Sequence, residues 1–255
     1  MLRREAGDWW VIISQLEHAR LAFDLAQWHS SGQEEDPFGL WLEAVRHHDD
    51  GWREWEQAPD LNPEGEPRAF DEMRMEISTG IWERSIAICA ERSAWGGLWV
   101  SRHFCFLAER VLAHLPEGVS ASAAQGFLEQ QKREQAAWRE ELAGWPRDEH
   151  HRVEEWGYRH LQLFDRLSLW VCLSVPGEER VLELPEGGEL QLLRTGKNVI
   201  EMSAGFLCDE TVPFQVAAKR VRKDAFHDAA SWNEAWKRAE GISLEWVVRP
   251  TGESS

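Results

Sequence analysis

The sequence predicts an α+β protein: a mainly helical body with a C-terminal antiparallel β subdomain. Apolar residues recur with helical spacing over the first two thirds of the 255-residue chain. After Pro176 the apolar pattern alternates with a period of 2, which is typical of half-buried strands. We therefore expect a helical domain over residues 1–174 and a β subdomain with one helix over residues 175–255, packed on the first.

The first elements follow from local composition. The apolar run Trp9–Ile13 predicts a short strand, and a stripe of alanines predicts that a helix over residues 14–28 packs closely on a neighbour. Residues 30–38 are polar with Gly and Pro, which indicates a loop. The next helix ends near Gly51. Prolines and acidic residues over positions 56–71 predict a long loop of the kind that serves as a lid or binding loop.

The rest of the chain contains four more helices and then strands. The helices are expected at about residues 75–92, 97–115, 121–143 and 149–172. The strands are expected at about residues 181–184, 189–194, 199–203, 214–221 and 244–249. One helix interrupts the strands, and Ser231 with Glu234 predicts a capping box at its start.

The net charge excludes several classes of partner, and the apolar runs and cysteines indicate where the protein is expected to be. The net charge of −17 is opposite in sign to that of a protein that binds nucleic-acid phosphates or an anionic membrane surface. The sequence contains no apolar run long enough to span a membrane and no signal-peptide pattern at its start. The four cysteines have no paired spacing, so we interpret them as buried free thiols of a cytoplasmic protein: Cys89, Cys105, Cys172 and Cys208.

The segment His47-His48-Asp49-Asp50-Gly51 is the most informative motif. Adjacent His and Asp residues at a helix end can bind one divalent metal ion, and a glycine lets the backbone turn tightly past it. His48 continues an apolar stripe, where an imidazole needs a partner. The alternative is a helix C-terminus with solvated carboxylates.

Three other residues are candidates for the same site. His18 lies on the small-residue face of the first helix, His103 lies on an apolar stripe, and Asp165 has helical spacing with leucines on the last long helix. Each has a structural alternative, since a buried His is often a hydrogen-bonded core residue and Asp165 can pair with Arg102 or Arg159. Together with His48 and Asp49 they form a mixed N/O set suited to Mn²⁺, Fe, Ni²⁺ or Zn²⁺.

The order His18, His48-Asp49, Asp165 on successive helices resembles the HD-domain superfamily of metal-dependent phosphohydrolases. That resemblance implies an HD-like helical bundle in which these four residues bind the metal and His103 is a second-site ligand or a catalytic group. The chain more closely resembles an uncharacterised bacterial family known only as a domain of unknown function. The resemblance to this family rests on residues 13–19, 48–52, 59–70, 100–104, 164–169 and 213–214.

A metal-assisted hydrolysis assigns roles to further residues. Asp50 or Asp49 can orient a metal-activated water or accept its proton. Arg68 is the favoured phosphate-binding residue. Trp52 or Trp55 can stack on a base or sugar ring, with Trp52 favoured, although most of the tryptophans are better explained as core residues that fill gaps between helices. Three other arginines near the motifs can act in the same way, although each is also explained as an ordinary surface residue: Arg46, Arg53 and Arg102. His160 projects about 140° away from Asp165 on an ideal helix, so both cannot easily reach one ion.

The sequence therefore predicts a metal-dependent hydrolase of a phosphate ester or nucleotide-like small molecule, with an anionic substrate. An HD-type iron-dependent oxygenase is the alternative within enzymes. A non-catalytic module that binds a small molecule or a partner is the alternative of another class, and it requires no metal.

Overall fold

A computed structural model describes residues 1–29, 37–115, 120–203, 206 and 211–251, without the side chain of Arg147. The described chain is mixed α+β, as predicted. Its contacts define two compact units. The first unit comprises Met1–Ser31, Arg53–Glu72 and Leu163–Ser255, and the second comprises Gly32–Trp52 and Met73–Gln162. The two units interleave along the chain, whereas the sequence pattern predicted two successive domains.

The first unit contains a seven-stranded sheet of order β1-β2-β6-β7-β5-β4-β3. Its strands are β1 (Leu2–Ala6), β2 (Trp9–Ile13), β3 (Glu179–Glu183), β4 (Glu189–Leu193), β5 (Val199–Met202), β6 (Val212–Arg222) and β7 (Glu240–Pro250). The expected antiparallel subdomain is thus corrected in two ways. The N-terminal strands join the C-terminal ones through β2 and β6, and β5 pairs with β7 in parallel.

Strand β1 was not predicted, because its sequence Leu-Arg-Arg-Glu-Ala lacks the alternation of a half-buried strand. It forms a hairpin with β2 across a two-residue turn. Gly7 adopts a φ of +62° in that turn, a left-handed conformation that glycine accommodates without steric cost.

Helices of the first unit pack against its sheet. Helix α1 (Gln15–His29) packs against β6 and buries its small-residue face, which includes His18, Ala19 and Ala22. Helix α7 (Ala229–Lys237) encloses a small apolar core with β2 and β6. Its buried members are Met1, Trp10, Ile12, Val221, Phe226, Trp232 and Trp236.

The predicted capping box of α7 is in the wrong register. The N-cap residue is Asp228, whose carboxylate accepts a hydrogen bond from the Ser231 backbone N–H at 2.8 Å. The Ser231 hydroxyl occupies the reciprocal position and accepts from the Asp228 backbone N–H at 3.1 Å. Ser231 is therefore the third helical residue rather than the cap, because aspartate is an equally good cap and lies three residues earlier.

The second unit is helical. It contains α2 (Phe38–His47), α3 (Met75–Ala90), α4 (Ala94–Ala113), α5 (Ser122–Glu141) and the first part of α6 (Arg147–Leu173), which also contributes to the first unit. These bounds agree with the predicted helices to within about one turn. None of the helices in the described residues is long and apolar enough to cross a membrane.

The cysteine prediction is confirmed for two of the four residues. Cys89 and Cys172 are buried and free, and burial raises the pKa of each thiol to about 12. Both thiols are therefore protonated at neutral pH. Cys105 is free but only half-buried, which corrects the expectation for that residue. Cys208 lies outside the described residues.

Candidate functional site

The first unit brings His18 and Asp165 together. His18 Nδ1 lies 2.8 Å from the Ser168 hydroxyl oxygen, and that hydroxyl donates to the Asp165 backbone carbonyl at 2.9 Å. Because a serine hydroxyl has one proton, it accepts from Nδ1–H of His18. In the neutral imidazole the lone pair is then on Nε2, which lies 3.4 Å from Asp165 Oδ1. The His18 side chain is 1% exposed.

The second unit holds His48 and Asp49 in a similar arrangement. His48 is the first residue after α2, and its Nδ1 lies 2.7 Å from the Val45 backbone carbonyl. A carbonyl can only accept, so Nδ1 carries the proton and the neutral ring has its lone pair on Nε2. That atom lies 3.6 Å from Asp49 Oδ2. Asp49 is 4% exposed, which excludes the alternative of a solvated carboxylate at a helix end.

The two His–carboxylate pairs share one geometry. The N···O distances of 3.4 and 3.6 Å are longer than an ordinary N–H···O hydrogen bond. Two ligands at about 2.1 Å from one tetrahedral or octahedral ion lie about 3.0–3.4 Å apart, close to these values. A nitrogen lone pair facing a carboxylate attracts a cation, which can be a divalent metal ion or a proton on Nε2. In both pairs Nδ1–H is held by a protein acceptor, as in metal-bound histidines.

His103 lies beside His48 in the second unit. It belongs to α4, is 3% exposed, and its ring centroid lies 5.8 Å from that of His48 in an edge-to-face arrangement. The contact is compatible with the predicted role of His103 as a second ligand or proton-transfer group. Its neighbour Phe104 also contacts the ring, with centroids 5.2 Å apart.

Asp50 and Trp52 form part of a short 3₁₀ turn after the motif histidines. His47 Nδ1 lies 2.9 Å from Asp50 Oδ2, so the candidate catalytic carboxylate is oriented by the neighbouring imidazole. Glu43 lies 3.4 Å from the other ring nitrogen of His47. Trp52 is 2% exposed, which places its ring in the protein interior. Its stacking role stays a prediction.

Gly51 is explained by packing rather than by a turn around an ion. A Cβ at this position would lie 2.1 Å from the Ile81 carbonyl oxygen and 2.7 Å from the Ser85 nitrogen, both backbone atoms of α3. The Gly51 N–H donates to the Ser85 hydroxyl at 2.9 Å, and Arg84 donates to the Gly51 carbonyl at 3.3 Å. The glycine lets the turn that follows His48 and Asp49 approach α3 closely.

A family of uncharacterised proteins, described as "Protein of unknown function (DUF3891)", matches residues 1–223. The chain belongs to this family. The match confirms the expected membership of a domain-of-unknown-function family, and it includes every candidate site residue. No curated protein and no solved structure gives a significant match.

In this DUF3891 chain, Arg68 and Arg102 are held by protein groups. The Arg68 guanidinium donates to Asp60 Oδ1 at 2.9 Å and to the carbonyls of Leu61 and Glu72 at 2.6 and 3.3 Å. It therefore supports the loop that precedes α3. To bind a phosphate, Arg68 would have to donate from a guanidinium N–H that takes no part in these three bonds. Its role as a phosphate ligand stays a prediction.

Arg102 of the DUF3891 chain forms an ionic network that the sequence did not reveal. It contacts Glu154 at 3.3 Å and Glu155 at 2.7 Å, while Arg139 also donates to Glu154 at 2.7 Å. Burial alone raises the pKa of Glu154, but the hydrogen bond and positive charge of Arg139, with the charges of Arg102 and His150, lower it below its usual value. This network stabilises the second unit.

His160, the remaining candidate of the DUF3891 chain, lies in an aromatic cluster of the second unit. Its Nδ1 lies 2.8 Å from the Trp156 carbonyl. Its ring centroid is 4.5 Å from that of Trp156 and 6.0 Å from that of Trp41. These contacts account for a buried histidine by packing.

Proposed function

We propose that the chain is a metal-dependent hydrolase of a phosphate ester or nucleotide-like small molecule, with His18, His48, Asp49 and Asp165 as ligands of a divalent ion. The observation that carries the proposal is the repeated geometry of the two buried His–carboxylate pairs. In each pair the imidazole presents Nε2 towards a carboxylate oxygen at a separation that suits two ligands of one ion.

The donor set fits a divalent transition metal. Two imidazole nitrogens and two carboxylate oxygens are borderline-to-hard ligands, which suit Mn²⁺, Fe²⁺, Ni²⁺ or Zn²⁺. The Ser168 hydroxyl and the Val45 carbonyl would hold the rings in the tautomer that a metal requires.

The neighbouring side chains would supply proton transfer. When bound, the ion would lower the pKa of a ligand water and polarise a phosphoryl oxygen. Asp50, oriented by His47, would accept a proton from the attacking water. His103, beside His48, would donate a proton to the leaving group. This assignment follows the ligand order of HD-domain phosphohydrolases, and the HD-like classification belongs to the same proposal.

Elemental analysis tests the metal part of the proposal. We expect about one ion per chain in the purified protein, lost in His18→Ala, His48→Ala, Asp49→Asn and Asp165→Asn alike, if all four residues bind one ion. His227→Ala is the matched control, since His227 is a largely exposed histidine outside the site. Two ions that are lost independently would contradict a shared site. No metal after reconstitution would overturn the proposal and favour the binding module.

Hydrolysis of p-nitrophenyl phosphate and of its bis-ester by the metal-loaded protein tests the reaction. We expect activity that falls by a factor of at least about 100 in Asp50→Asn while the metal content stays unchanged, since general-base assistance is worth about 10²–10⁴. A metal-loaded wild type with no activity on either ester would refute the phosphohydrolase assignment. Iron content with oxygen consumption would instead identify the oxygenase alternative.

A further inference from the structure

A polar groove in the first unit lies along the outer side of α1. It has a volume of about 590 Å³, within the range of small-molecule pockets. One wall is formed by β6 between Pro213 and Ala217. The opposite wall is formed by five residues of α1: Glu17, Arg20, Asp24, Gln27 and Trp28. His18, the candidate metal ligand on α1, belongs to the buried face of the helix and does not line the groove.

The periodicity of the two elements produces this groove. Residues 17, 20, 24, 27 and 28 have the spacing that places side chains on one side of a helix. None of them belongs to the buried face of α1. On β6, Pro213, Gln215 and Ala217 are exposed and alternate with buried residues, so they lie on one face of the strand.

Trp28 is the exposed aromatic residue of the groove. The chain has 16 tryptophans, all of them within the described ranges, and Trp28 is the only one that is exposed, at 38%. The others are buried or half-buried. An indole ring left in a groove offers a flat apolar surface to a ligand.

Arg20 fixes the polar side chains of the α1 wall. Its guanidinium donates to Asp24 at 3.0 Å and to Glu17 at 3.1 Å, and it also donates to the Gln215 backbone carbonyl of β6. Glu17 in turn accepts from the Ala217 backbone N–H at 2.9 Å. These bonds hold the two walls together, so the groove is formed before a ligand binds and little ordering is required on binding.

Two amides complete the lining. Gln27 of α1 and Gln215 of β6 are both exposed. Neither side-chain amide forms a hydrogen bond with another residue in the part of the chain that the structure describes. Each amide offers an acceptor oxygen and two N–H donors, so it can pair with a hydroxyl group in either direction.

We propose that this groove binds a neutral saccharide of one or two rings, with Trp28 as its stacking surface. A sugar ring carries C–H groups on its faces and hydroxyl groups around its rim. The C–H face packs on the indole ring, which buries apolar surface of both partners. The rim hydroxyls then hydrogen-bond with the amides of Gln27 and Gln215.

The charges in the wall favour a neutral ligand. The wall contains the two carboxylates of Glu17 and Asp24 and the one guanidinium of Arg20, so an anionic sugar meets a net negative charge. An organic cation has to compete with Arg20, which already contacts both carboxylates. A saccharide without charge avoids both costs.

Saturation-transfer difference NMR with maltose tests this proposal on the full chain. We expect maltose to receive saturation from the protein, with the strongest signals from the ring C–H protons that pack on Trp28. Labelling with 5-fluorotryptophan locates the site, because the fluorine signal that is absent from Trp28→Phe belongs to Trp28. That signal should shift as maltose is added, and the signals of the buried tryptophans should not.

Variants make the test specific. Trp28→Ala should weaken maltose binding at least about tenfold, since loss of a central aromatic anchor is among the most costly truncations at a binding site. Gln215→Leu keeps the stacking surface but loses the amide, so binding should weaken roughly threefold to tenfold. Val181→Ala is the matched control, since Val181 is an exposed apolar residue of β3 that does not line the groove. Trp28 and Gln215 are exposed, so these variants should keep the wild-type Tm.

The outcomes separate the saccharide from other ligands. Absence of saturation transfer to maltose, or equal affinity in Trp28→Ala and wild type, would overturn the proposal. A shift of the Trp28 signal with tetramethylammonium but not with maltose would also overturn it and would assign the groove to organic cations. Glucose 6-phosphate should bind more weakly than glucose, and equal affinity for the two would refute the selection against anions.

Discussion

Replacing Gly51 by alanine is expected to destabilise the protein strongly. The added methyl group would lie 2.1 Å from the Ile81 carbonyl oxygen and 2.7 Å from the Ser85 nitrogen. Both are backbone atoms of α3, so no side-chain rotation relieves the overlap. Overpacking of a core costs about 1–3 kcal/mol, and loss of the hydrogen bond from Gly51 to the Ser85 hydroxyl adds about 1 kcal/mol. We therefore expect the free energy of unfolding to fall by about 3 kcal/mol, which corresponds to a Tm lower by roughly 6–12 °C.

Gly126→Ala is the matched control for this experiment. Gly126 lies inside α5, and a Cβ there would meet no atom within 4 Å. Alanine is the better helix former, so this variant should be more stable than wild type by about 0.5–1 kcal/mol. Urea unfolding followed by circular dichroism measures both variants. The packing argument is refuted if Gly51→Ala unfolds at the wild-type urea concentration or is as stable as Gly126→Ala.

Three further predictions concern stability. The folded-state pKa of Glu154 is below its unfolded value, so ionised Glu154 stabilises the fold above the unfolded pKa, and this contribution is lost as the pH falls through the folded pKa. Glu154→Gln should therefore be less stable than wild type at neutral pH by an amount that shrinks in acid, and a pH-independent difference in urea midpoint would contradict this. Arg194 is 2% exposed and donates to backbone carbonyls at the end of α6. Arg194→Lys lacks the guanidinium fork, so its free energy of unfolding should be lower by about 2–3 kcal/mol, measured by thermal unfolding. An unchanged Tm would argue against this capping role. Asp228→Ala should lower the Tm and Glu234→Ala should not, whereas the reverse order would support the capping box predicted from the sequence.

Much of the candidate site could be predicted from residue type and local pattern. A histidine on an apolar stripe is buried wherever the stripe is buried, and His18, His48 and His103 are each at most 3% exposed. Asp165 was selected because it shares a helical face with leucines, and it is 9% exposed. These predictions succeeded because helical periodicity is a local property of the sequence.

The partners of these residues could not be predicted in the same way. Ser168 orients His18 from a position 150 residues away in the chain, and no local pattern relates the two. The pairing of Arg102 and Arg139 with Glu154 likewise joins separate helices. The local sequence around an arginine or a glutamate does not show which buried residue it will contact, since that partner depends on which helices pack together.

The sequence by itself determined where helices and strands form and which polar residues are buried, because hydrophobic periodicity and helix-end signals act over a few residues. Only the tertiary structure decided that β1 and β2 join the C-terminal strands in one sheet, since strand pairing joins segments distant in the chain. It also decided that Gly51 is needed for close contact with α3. In each of these cases the deciding atoms belong to another element, and their approach is set by packing rather than by local sequence.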